Sequence, residues 1–120
     1  MGAHLVTMET TDEWNKVRGF IAEKVKKSGS HTHWYIGLRK ESGAWKWTES
    51  GLTVATNDNR WQRHQPSTNN PEEKCAEINS EHPAKMYGHF NNVRCNVKYA
   101  QKTDVYNKPL PPRGYICENF

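Results

Sequence analysis

Two aromatic runs near the middle of the chain constrain its fold more than anything else in it. Trp34-Tyr35-Ile36-Gly37-Leu38 is aromatic and branched, and Trp45-Lys46-Trp47 alternates with period two after the turn-like Glu41-Ser42-Gly43. Side chains of this kind suit a pleated, half-buried surface. The spacing therefore predicts a hairpin, with Trp34, Trp45 and Trp47 in the core. Two further short strands are read at Cys75-Ala76-Glu77-Ile78 and at Arg113-Gly114-Tyr115-Ile116-Cys117.

Upstream, His4 to Met8 reads as a short strand, and Thr10-Thr11-Asp12-Glu13 offers a capping box. In such a box a Thr side chain and a Glu three positions on satisfy each other's orphan backbone donors. Trp14, Val17, Ile21 and Val25 then recur at helical steps, and Lys24, Lys26 and Lys27 fall where the helix dipole favours cations. Ser28-Gly29-Ser30 ends the helix. From Thr53 to Asn70 regularity fades into a polar stretch broken by Trp61 and Pro66. Loops of that length in compact domains are usually either functional or disordered.

Composition narrows the classes. At 120 residues there is room for one domain with one core. The 34% apolar fraction is low, but five Trp, five Tyr and three Phe supply large surfaces to close it. The net charge of +4 is spread without a basic run, which argues against nucleic acid. No stretch approaches the ~20 apolar residues of a membrane span, and Met1-Gly2-Ala3 does not open a signal peptide. Cys75, Cys95 and Cys117 are odd in number and contain no Cys-X-X-Cys pair, so neither a zinc ribbon nor a thioredoxin-type site is indicated. His31 and His33 stand two apart without a matching Cys or carboxylate, and are read as ordinary surface histidines.

Taken in order, these pieces resemble the C-type-lectin-like domain family. The resemblance rests on Leu5-Val6-Thr7, Trp34 to Leu38, Trp45 with Trp47, Glu73 with Cys75, Phe90 to Cys95, and Ile116-Cys117-Glu118. It implies an α+β fold: one helix, a small antiparallel sheet joining the chain ends, and a second sheet under a long irregular ligand-binding loop. It also implies a disulfide between Cys75 and Cys95. Family members ordinarily begin some tens of residues earlier, with a strand, a helix and a cysteine that bonds the one in the final Ile-Cys-Glu. Residues 1–120 are thus expected to be a single domain shortened at its N terminus, with Cys117 unpaired and the last strand left with an open edge.

In sugar-binding members a calcium ion is held by a Glu-Pro-Asn or Gln-Pro-Asp segment, by a Glu six residues on, and by the Asn-Asp of the last motif. The matching positions here are Gln65-Pro66-Ser67, Glu73, Asn91 and Asn92. Calcium wants six to eight oxygens, and its affinity rises with their charge. Ser67 stands for an Asn or Asp and Asn92 for the Asp, which leaves Glu73 as the one carboxylate of the five. The calcium site implied at Gln65, Glu73, Asn91 and Asn92 is therefore weak. Gln65, Ser67, Glu73, Asn91, Asn92 and Trp61 are the expected ligand-binding residues. The reading is an extracellular, secreted or membrane-anchored carbohydrate-recognition module, not an enzyme, that takes a glycan or glycoprotein. The alternative is a protein-recognition module that uses the same scaffold without calcium.

Overall fold

The computed structural model describes residues 3–29, 33–80, 84–95 and 114–119. Strand β1 (Ala3–Leu5) leads to helix α1 (Thr11–Ser28), and then come β2 (His33–Glu41), β3 (Ala44–Trp47), β4 (Thr53–Val54) and β5 (Cys75–Asn79). A 3-10 turn at Ala84–Met86 precedes β6 (Asn91–Val93), β7 (Gly114–Tyr115) and β8 (Cys117–Asn119).

The helix begins and ends where its caps place it. The Thr10 hydroxyl accepts from the Glu13 N–H at 3.1 Å, and the Glu13 carboxylate accepts from the Thr10 N–H at 3.0 Å. Gly29 closes the other end at φ 68°, its N–H donating to the Val25 carbonyl. The Trp14 indole N–H donates to the Gly88 carbonyl at 2.8 Å, and the Arg18 guanidinium donates to the carbonyls of Tyr87 and Lys85. These bonds tie α1 to the turn ahead of β6, while Ile21 enters the core with no exposure.

The hairpin forms through Leu38↔Trp47, Arg39↔Lys46, Lys40↔Trp45 and Glu41↔Ala44. Its two turn residues, Ser42 at φ 51° and Gly43 at φ 80°, are both left-handed, the backbone that matches the twist of a two-residue hairpin. The larger sheet runs β4-β3-β2-β5-β6. β7 adds to β2 in parallel at Trp34 and Tyr35, on the edge that β3 leaves open. Trp34, Trp45 and Trp47 are buried as read.

A second sheet joins the chain ends. β1 pairs antiparallel with β8 through Ala3↔Asn119, His4↔Glu118 and Leu5↔Cys117. β1 takes one edge of the last strand, and in this two-stranded sheet the other edge has no strand partner among the described residues. Val6 links the two sheets: its N–H donates to the Ile116 carbonyl at 2.8 Å, and its carbonyl accepts from Gly37 at 2.9 Å. No helix among the described residues is long and apolar enough to cross a membrane.

Candidate functional site

The polar stretch after β4 is held to the last motif by backbone and aromatic contacts. Phe90 N–H donates to the Arg60 carbonyl and Gln62 N–H to the Phe90 carbonyl, at 2.7 and 2.8 Å. Arg60 grips both Asp58 oxygens at 3.0 Å, reaches the Met8 carbonyl, and lies over the Phe90 ring. The Arg60 hydrogen bonds hold the Asp58 carboxyl below the usual carboxylate range.

Trp61 is corrected by this packing. Read as a contact residue because of its polar neighbours, it is 5% exposed. Its ring meets Trp45 at 5.1 Å and Phe90 at 5.7 Å, both edge-on, and its indole N–H donates to the Ala55 carbonyl. It shapes the loop from below and offers no face to a ligand.

Above it, four of the motif residues meet. The peptide between Gln65 and Pro66 is cis. The Ser67 N–H meets Gln65 Oε1 at 2.9 Å and Asn92 Oδ1 at 2.8 Å. Asn92 Nδ2 in turn donates to the Ser67 carbonyl at 2.9 Å. Because a peptide N–H only donates and a carbonyl only accepts, this two-way bond fixes which end of the Asn92 amide is oxygen. The amide nitrogen is the end facing Glu73, whose Oε1 it meets at 3.3 Å, and the Ser67 hydroxyl meets the same oxygen at 3.3 Å. Asn92 is 3% exposed, so its amide is spent entirely on protein partners.

Asn91 lies elsewhere, because neighbours along a strand face opposite sides. Its Nδ2 is 3.4 Å from Glu77 Oε2. Glu77 is 1% exposed, also accepts from Asn79 at 3.1 Å, and is met by His33 Nδ1 at 3.0 Å on Oε1. His33, read as a surface histidine, is therefore a buried partner of a buried carboxylate, at 4% exposure. This cluster escaped the sequence reading. The only hint was a Glu inside an otherwise apolar strand.

The disulfide implied by the resemblance is present: Cys75 and Cys95 are bonded at 1.98 Å, tying β5 to the end of the last motif. Cys117 lies in β8, and its side chain and the stretch 96–113 are outside the described residues.

The donor set does not fit a calcium ion. Glu73 is the one carboxylate in the knot, Asn92 and Ser67 turn N–H and O–H toward it, and Asn91 points into the other cluster. Among the described residues, no group of three or more His, Cys, Asp or Glu is arranged to hold a metal.

Comparison with known proteins agrees with this architecture. The sequence model of the C-type lectin domain matches residues 1–101, and the chain belongs to that family. It is 35% identical over 101 residues to mouse C-type lectin domain family 6 member A, covering 82% of this chain and 43% of that protein. Human E-selectin is 25% identical over 95 residues, covering 79% of this chain and 14% of E-selectin. The chain thus spans less than half the length of these relatives. Human lithostathine superposes with a TM-score of 0.57 at 23% identity, covering 78% of this chain and 59% of that one. CEL-I from Cucumaria echinata does so at 0.56 and 20%, covering 77% and 60%. At these identities the likeness is one of fold.

Proposed function

We propose that this domain is an extracellular recognition module that binds a protein surface through its long loop without a calcium ion. The observation that carries the reading is the Asn92 amide. Its orientation is fixed by Ser67 and it presents N–H to Glu73, so the loop is closed by neutral donors where a cation would need anionic oxygens. A loop closed in this way is ordered before any ligand arrives, which lowers the entropy cost of binding. Around the knot, Arg63, His64, Thr68, Asn69 and Glu72 are exposed and polar, as the rim of a protein interface is. An extracellular setting is supported by the Cys75–Cys95 bridge, since such bonds persist in oxidising compartments.

Carbohydrate recognition is the second reading, favoured by the convergence of Gln65, Ser67, Glu73 and Asn92 at the motif's register. One solved structure of this fold is named for its carbohydrate-recognition domain: the human scavenger receptor C-type lectin, superposed at a TM-score of 0.51 and 23% identity. A glycan array probed with and without calcium separates the two. The protein-surface reading expects no calcium-dependent signal. A calcium-dependent glycan signal that Glu73→Gln abolishes would overturn it in favour of the second.

A further inference from the structure

On the sheet face that carries the Cys75–Cys95 bridge lies a cavity of about 230 Å³ that the long-loop site does not use. Leu5, Tyr35, Gly37, Thr48 and the disulfide line it, and Arg39 stands in its wall. Nearly all of this lining is apolar or backbone. Thr48 adds a hydroxyl, and Arg39 is the one charged group, a full cation on an exposed residue.

Arg39 is paired across the hairpin with Lys46, so two positive charges stand directly opposite on one face. Like charges at that register destabilise a sheet. Among the described residues no carboxylate pairs with either cation. Glu41, two residues along β2 on the same face, is the nearest acid in the strand and makes no ion pair with them.

An apolar cavity beside two cations that no carboxylate among the described residues neutralises has the chemistry of a site for an amphipathic anion. We infer that this cavity binds a small carboxylate with an apolar tail, the tail entering between Leu5, Tyr35 and the disulfide and the carboxylate lying between Arg39 and Lys46. Its volume is below the ~300 Å³ at which drug-sized sites begin. The tail is thus a short acyl or single-ring group, and Arg39 supplies a planar fork matched to a carboxylate.

The test is a titration of the isotope-labelled protein with hexanoate, hexylamine and hexanol, followed by amide NMR shifts. Hexanoate should give saturable shifts at Tyr35, Gly37 and Thr48, and hexylamine should bind at least tenfold more weakly. In the double variant Arg39→Gln/Lys46→Gln, hexanoate affinity should fall tenfold or more while hexanol affinity stays the same. Glu73→Gln, which reports on the long-loop site, should leave hexanoate binding unchanged. No saturable shift with hexanoate, equal binding of hexylamine, or an unaltered affinity in the double variant would each overturn the assignment.

Discussion

Asn92 shows how one residue decides what a loop requires. Where the family motif has Asp, this chain has an amide whose two ends are matched to the N–H and C=O of Ser67. Asn92→Asp would set an oxygen against the Ser67 carbonyl and a second anion beside Glu73. Losing buried hydrogen bonds in this way costs about 1–3 kcal/mol, or several degrees in a domain of this size. The variant should therefore melt several degrees below the parent in chelator and recover part of the loss in millimolar calcium, because a ligand stabilises only the state that binds it. The parent should barely respond to calcium. Thermal melts of both proteins in EDTA and in calcium check this, and an unchanged melting temperature for the variant in EDTA would mean that Asn92 does not close the loop. His89 carries a second residue-scale expectation. Burial holds its pKa below the ordinary imidazole value, the Met86 carbonyl at 3.0 Å opposes the shift, and Arg18 adds to it. Folded His89 thus stays neutral after the unfolded chain has begun to take up its proton. Its contribution to stability is complete above about pH 6.5 and declines as pH falls through that value toward the folded pKa. His89→Gln should flatten the stability profile between pH 7.5 and 5, measured by urea unfolding, and a profile as steep as the parent's would exclude His89 as its source.

Among the elements, those governed by local chemistry were readable directly. Helix α1 follows from its capping box and from Gly29, and the β2–β3 hairpin from its alternating tryptophans and left-handed turn. The Cys75–Cys95 bridge became readable only through the family resemblance, since three cysteines leave the pairing open. Features set by distant packing stayed hidden. His33 meets a carboxylate 44 positions away, and the parallel addition of β7 to β2 has no local signature. Trp61 was misjudged because its neighbours in sequence are polar, whereas its neighbours in space are Trp45 and Phe90. That correction has a measurable consequence. Trp61→Ala removes a large buried ring and should cost about 3–5 kcal/mol, as other truncations of buried aromatics do. It should also reduce hydrogen-exchange protection at Gln62 and Phe90, whose amides donate in the stitching beside it. A loss of stability under about 1 kcal/mol would restore Trp61 as a surface contact residue.

Across the whole molecule, the two sheets depend on one close approach. β1 and β8 bring the ends together, and the segment after β1 crosses the centre of β2 at Gly37. A Cβ at Gly37 would lie 2.9 Å from the Leu5 carbonyl oxygen and 3.1 Å from that of Val6. Both obstacles are backbone, so neither can swing away as a flexible side chain could. Gly37→Ala must push β1 off β2, and the Gly37 N–H bond to the Val6 carbonyl lengthens with it. Since the Val6 N–H holds Ile116, strain entered at Gly37 is passed on to the strand pair at the far end of the chain. The substitution should cost about 1–3 kcal/mol, as overpacking does. Protection at Gly37 and Val6 should fall together, because the Gly37 N–H donates to the Val6 carbonyl and the Val6 N–H to the Ile116 carbonyl, while the helix amides of α1 keep theirs. Urea unfolding gives the first quantity and native-state hydrogen exchange the second. Should exchange rise at Gly37 but not at Val6, the bond from Val6 to the Ile116 carbonyl would stand independently of the Gly37 contact, and the coupling of the two sheets through Val6 would be wrong.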